Sequence, residues 1–185
     1  MTRWQCVILV PVLVAVTCGA ALAGEGPIYW PENGHYYELI ETPVTWHEAE
    51  YLAEEREHDG RQGHLVTITS QAENDFVFWI VVGGNTDTPL GDPWLGGYQN
   101  SPESPPDENW HWVTDEDWEY TNWDDGEPND YDEEYAELFL NFQLWGDGFW
   151  NDHHSLNLKA FVVEYSGDVI RTELVTMSEV KALFD

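Results

Sequence analysis

Apolar and polar positions alternate early in this chain, then fall into helical spacing, then return to short alternating runs. His35-Tyr36-Tyr37-Glu38-Leu39-Ile40 reads as a first strand rich in aromatics, closed by Thr42-Pro43. Thr45 takes the N-cap position of a helix, with Glu48 three residues on to complete a capping box. Trp46, Ala49 and Ala53 recur at helical spacing and form its buried stripe. Arg56 to Gly63 reads as a polar turn, and His64-Leu65-Val66-Thr67-Ile68 as a short strand. Ser70 caps a second helix with Glu73 as the partner in another box. Phe76, Val77 and Ile80 fall on one side of it, and Gly83-Gly84 stops it. Helical periodicity then disappears. Trp94 to Tyr98, Trp110 to Val113, Tyr135 to Leu140 and Ala160 to Tyr165 read as strands, with the short Phe149-Trp150 between the last two. Ser101 to Asn109 and Thr121 to Glu134 read as loops. Two early helices followed by short strands and long loops predict an α+β fold.

The N-terminus changes the picture of where this body works. Met1-Thr2-Arg3, an apolar run from Val7 to Val16 and Ala21-Leu22-Ala23 form a basic segment, a short apolar segment and a small-x-small cleavage site. The apolar run is too short to span a bilayer. Residues 1–23 are therefore expected to be a signal peptide cut after Ala23, leaving a secreted protein, extracellular or periplasmic, with no membrane attachment. Both cysteines, Cys6 and Cys18, lie inside that segment. The exported chain has no disulfide and must rest on its core or on a metal. A length of 185 residues with 42% hydrophobic and 15% aromatic residues suits one domain with a sizeable core.

The formal net charge is −30 at pH 7. Such a body excludes nucleic acid and anionic membrane surfaces as partners and favours divalent cations. Most of the acids serve a solvated surface, but two runs stand apart: Glu127-Pro128-Asn129 and Trp150-Asn151-Asp152. Each puts a carboxylate and a carboxamide on what reads as a loop. Hard cations such as Ca²⁺ take six to eight oxygen ligands, and such pairs supply them. The same pairing suits a sugar hydroxyl, because the amide donates while the carboxylate accepts. Between the runs lies Asp130-Tyr131-Asp132-Glu133-Glu134.

Other stretches align with these. Thr45-Trp46-His47-Glu48-Ala49, Gly63-His64-Leu65-Val66-Thr67-Ile68, Ser70-Gln71-Ala72-Glu73-Asn74, Trp94-Leu95-Gly96-Gly97 and Trp118-Glu119-Tyr120-Thr121-Asn122-Trp123 occur in that order before the two runs. From about Tyr29 to Tyr165 the chain resembles C-type lectin-like domains of the bacterial, free-standing kind, with residues 166–185 as a tail beyond. The resemblance implies a two-helix fold with small antiparallel sheets and a long Ca²⁺-binding loop. It implies Glu127 and Asn129 as Ca²⁺ ligands of the mannose type, and Asn151 and Asp152 as further ligands. It implies Glu133 as the remaining acid, with Glu134 as the alternative, and a cis bond between Glu127 and Pro128. An auxiliary Ca²⁺ site would use Asp130 and Glu134. Where the family has four cysteines, this chain has Ala53, Tyr135, Ser155 and Val163.

The expected function is Ca²⁺-dependent binding of mannose-type glycans, with sugar hydroxyls coordinated directly and hydrogen-bonded by Glu127, Asn129, Glu133 and Asn151. Trp145 and Phe149 flank the site in sequence, either to stack on a sugar ring or to pack inside. The alternative is a secreted protein-binding or adhesion domain in which Ca²⁺ is structural only. An enzyme is not expected: carboxyls beside a cation stay ionised, whereas glycoside hydrolysis needs one with a raised pKa.

Overall fold

The structure is a computed structural model that describes residues 26–84, 92–99, 105–130, 138–143 and 146–167. The expected signal peptide, Glu133, Glu134, Tyr135, Trp145 and nearly all of the tail lie outside these residues.

The first helix, α1 (Trp46–Glu54), forms as its sequence dictates. The Glu48 amide donates to the Thr45 hydroxyl and the Glu48 carboxylate accepts from the Thr45 amide at 3.1 Å, so both halves of the box close. Trp46, Ala49 and Ala53 face inward. The second helix, α2 (Gln71–Phe76), closes only half of its expected box. The Ser70 hydroxyl accepts from the Glu73 amide at 3.2 Å. The Glu73 carboxylate turns instead into the core and accepts from the Thr69 amide at 2.8 Å and the Tyr37 hydroxyl at 2.6 Å. Burial raises its pKa above the ordinary carboxylate value. Beside it the buried Glu164 accepts from the Thr67 amide and meets His35 Nδ1 at 2.6 Å, a hydrogen bond that raises the His35 pKa.

A π-helical turn, Val77–Val81, continues α2. Its i→i+5 bonds, such as Val82 N to Val77 O at 2.9 Å, shift the buried stripe. Val77, Phe78 and Val81 are buried, while Ile80, expected on the inner side, is exposed together with Trp79.

Among the described residues, nine strands make one branched sheet. β1 (Ile28–Trp30), not foreseen, pairs with β2 (His35–Val44). β2 does not end at Thr42-Pro43 but runs on to Val44. Ile40 pairs with Phe161 and Val44 with Lys159, so the ladder bulges there. A proline lacks an N–H to give and is tolerated at such a bulge. The expected polar turn is a hairpin of β3 (Glu57–His58) and β4 (Arg61–Leu65), joined by Asp59 and Gly60 at φ 50° and 74°. Asp-Gly is a strong hairpin dipeptide, so this signal was present in the sequence. The other strands are β5 (Trp94–Gln99), β6 (Trp110–Trp112), β7 (Leu138–Phe142), β8 (Trp150–His154) and β9 (Lys159–Tyr165).

The main path runs β1-β2-β9-β5-β7-β8, with β4 on β9 and β6 on β5. β9 pairs antiparallel with β2 and β4 and parallel with β5, and every residue in it is buried. This brings the two ends of the domain together. Ala53 and Val163, where the resemblance expects cysteines, are both fully buried in one apolar cluster with Trp46 and Phe161. Packing thus occupies the place of a disulfide. Gly63 lies between them, and a Cβ there would sit 2.6 Å from the Ala53 carbonyl. The site itself hangs on the other cluster, at the β7–β8 edge.

Candidate functional site

β8 begins with Trp150, which is fully buried. Its ring meets Trp112, Trp118, Tyr120 and Trp123 at centroid distances of 5.4–6.0 Å. The indole N–H donates to Asn74 Oδ1 at 2.7 Å, and Asn74 Nδ2 donates in turn to the Gly148 carbonyl at 3.0 Å. Asn122 Nδ2 donates to the same carbonyl at 2.7 Å. Gly148 has φ 84° and lies against Asn74 and Phe78, so a side chain is excluded there both by conformation and by space. The Asn122 carbonyl accepts from the Trp150 amide at 2.8 Å, and the Asp124 amide donates to the Trp150 carbonyl at 3.0 Å. The loop that carries Glu127 is therefore tied to the first residue of the second motif.

Next in β8, Asn151 pairs with Asn141 and Asp152 with Leu140 on β7. Asp152 is 8% exposed. Its Oδ1 accepts from the Asn129 amide at 2.9 Å and its Oδ2 from the Asp130 amide at 3.0 Å. One carboxylate thus clamps the turn that follows Pro128. The Glu127-Pro128 bond is cis, and Asp130 takes φ 49°. Asn151 Nδ2 donates to the Asp152 carbonyl at 2.6 Å and lies 3.4 Å from Asn141 Oδ1.

Glu127 is the group that this arrangement strains most. Desolvation, then Asp152 and then Asp124 push its pKa up to about 7. Asp130 is raised as well, by desolvation and by Asp152. Glu127 Oε2 and Asp130 Oδ1 are buried and lack a hydrogen-bond partner among the described residues. Buried carboxylate oxygens require a partner. Crowded, orphaned acceptors with like charge fit a hard divalent cation, and hydroxyl or carboxylate oxygens complete its shell.

Of the five expected site residues, the structure brings Glu127, Asn129, Asn151 and Asp152 to one place; Glu133 lies outside the described residues. Phe149, next to Trp150 in sequence, is 39% exposed rather than packed in the core. Sequence reasoning missed Asn74, Asn122, Asp92 and Asn141. An asparagine inside the apolar run Leu138–Phe142 was the one available signal, since a buried amide needs partners. A second cluster, His35, Glu73 and Glu164, has ligand atoms within 4.8 Å of one another. Its carboxylates already accept from Tyr37, Thr67 and Thr69. An open depression of about 730 Å³ lined by Glu54, Gln62, His64, Val113 and Ser166 contains none of the motif residues.

The family model for the lectin C-type domain matches residues 42–165. Halomucin of Haloquadratum walsbyi is 36% identical over 96 residues, covering 49% of this chain and 1% of that protein. Mouse (Mus musculus) lithostathine-2 is 35% identical over 80 residues, covering 43% of this chain and 40% of that protein. The chain thus spans well under half the length of these relatives. Among solved structures, the C-type lectin CEL-I from Cucumaria echinata superposes with TM-score 0.61 at 24% identity, over 72% of this chain and 91% of that one. The carbohydrate-recognition domain of cow CD23, solved in the presence of a GlcNAc2Man3 oligosaccharide, gives TM-score 0.58 at 25% identity, over 78% of this chain and 96% of that one.

Proposed function

Because the chain belongs to the C-type lectin family, we propose that it binds mannose-type glycans through a Ca²⁺ held by Glu127, Asn129, Glu133, Asn151 and Asp152. The observation that supports this reading is the pair of buried oxygens, Glu127 Oε2 and Asp130 Oδ1, that have no hydrogen-bond partner among the described residues. Ca²⁺, when bound, supplies a point to which two vicinal hydroxyls coordinate in place of water. Glu127 would accept a hydrogen bond from one hydroxyl and the Asn129 amide would donate to a hydroxyl lone pair. The second hydroxyl falls to Glu133 and Asn151. Asp152 holds the turn and neutralises charge. Phe149, exposed and next to Trp150 in sequence, offers a ring to a sugar face.

The cow CD23 domain, crystallised with a mannose-containing oligosaccharide, supports a glycan as ligand. The charge of −30 argues against nucleic acid and anionic membranes as competing partners. The N-terminal pattern supports export of the domain, with Ca²⁺ available outside the cell.

Exchanging the acid and the amide tests this reading. Glu127→Gln with Asn129→Asp reverses which side donates and which accepts while keeping every oxygen ligand. Mannose-type binding should be lost on a glycan array, while Ca²⁺ still raises the melting temperature. Mannose binding that survives the double change would sink the proposed coordination.

A further inference from the structure

Behind Asn151 runs a chain of polar side chains that the sugar chemistry does not use. Lys159 Nζ donates to Asp92 Oδ2 at 2.5 Å, and both residues are under a tenth exposed. Asn141, fully buried, donates through Nδ2 to the same carboxylate and to the Phe142 carbonyl at 2.6 Å. Its Oδ1 is left to face Asn151 Nδ2. Each link has one allowed polarity. An ammonium only donates and an ionised carboxylate only accepts. Asp92 must therefore receive the Asn141 NH₂, and Asn141 must present its oxygen to Asn151. Asn151 must then present its own NH₂ inward. Both of its amide hydrogens are engaged, on Asn141 Oδ1 and on the Asp152 carbonyl. Among the described residues nothing donates to Asn151 Oδ1.

We propose that Asp92, Lys159 and Asn141 are positioning residues that fix the Asn151 carboxamide with its oxygen toward the cation. The inference rests on the Ca²⁺ site proposed above. It adds a claim that the site alone does not make: the ligand atom of Asn151 is chosen three side chains away. The elements agree with this. Asp92 leads into β5, Asn141 is on β7, Lys159 opens β9 and Asn151 is on the edge strand β8, so four segments converge on one amide. The ring of Trp94, 5.2 Å from Lys159 Nζ, covers the ion pair.

The test breaks the relay. Lys159 Nζ and Asn141 Nδ2 share one acceptor, Asp92 Oδ2, and Asp92→Ala removes it, so the ammonium draws the Asn141 oxygen instead. Only the Phe142 carbonyl then holds the Asn141 NH₂, and the Asn151 amide is released to turn an NH₂ toward the cation. Ca²⁺ affinity by calorimetry should fall about tenfold or more, the scale for losing a group that orients a ligand. Tb³⁺ bound in place of Ca²⁺ should gain about one coordinated water, read from its luminescence decay in H₂O against D₂O. The double variant Asp92→Ala/Asn141→Asp gives Lys159 a carboxylate again and restores an acceptor opposite Asn151, and it should recover most of the affinity and the lower water count. If Asp92→Ala does not fold, Asn141→Ser cuts only the last link and should give the same two changes. Folded variants with unchanged affinity and unchanged hydration overturn the relay alone. A wild-type protein that binds no Ca²⁺ overturns the site and the relay together.

Discussion

Trp150→Ala should cost about 3–5 kcal/mol of folding stability, the range for removing a fully buried large aromatic side chain. Trp150 has no exposed surface and touches four aromatic rings beneath the loop. The substitution also strips Asn74 Oδ1 of its donor in a site where Asn74 is itself fully buried. An orphaned buried acceptor adds about 1–3 kcal/mol. Trp150→Phe keeps a ring but not the N–H, so it should be intermediate. Denaturant unfolding measures both. Because Trp150 also anchors Asn122 and Asp124, residual folded protein should bind Ca²⁺ more weakly. A loss under about 1 kcal/mol for Trp150→Ala would mean that the aromatic cluster is not what supports the loop.

Ca²⁺ itself should raise stability, and by an amount that depends on pH. With an affinity in the range of extracellular modules, about 10⁻⁴–10⁻³ M, 10 mM Ca²⁺ adds about 1.4–2.7 kcal/mol. That corresponds to about 3–10 °C in melting temperature for a domain of this size. Glu127 sets the direction with pH. Its folded pKa, about 7, lies above the ordinary 4.5, so the metal-free folded state keeps a proton that the unfolded chain has lost. That contribution is full below pH 4.5 and is lost as pH rises through about 7. The metal-free protein should therefore weaken across this window, while Ca²⁺ binding, which displaces the proton, should stabilise more at pH 8 than at pH 5. Melting curves in Ca²⁺ and in chelator at the two pH values give the comparison. Equal gains at both would remove Glu127 from the ligand set.

The parts of the fold legible in the sequence were those encoded locally. Thr45 and Glu48 set the start of α1, and the spacing of Trp46, Ala49 and Ala53 gave its inner face. What escaped depends on distant partners. Glu73 has the right type and spacing for a box, yet Tyr37 and Thr69 draw its carboxylate inward. Ile80 sits on the expected face of an α-helix, and the π turn moves it outside. The Asp59-Gly60 hairpin was readable and was read only as a turn. At the site, the two motifs were visible because their residues are consecutive. The clamp of Asp152 on the Asn129 and Asp130 amides was not, since it joins positions 22 and 23 residues apart. Asn74, Asp92 and Lys159 announce nothing locally; each acquires meaning only from the strand that folds against it.

The most direct measurement is a calorimetric titration of the protein with a mannose-type oligosaccharide, first in 10 mM Ca²⁺, a concentration on the order of ten times the weakest affinity expected for such a site, and then in chelator. The account predicts saturable binding in Ca²⁺, none in chelator, and recovery when Ca²⁺ is restored. Binding that persists in chelator would contradict it, as would a protein that Ca²⁺ stabilises but that binds no glycan.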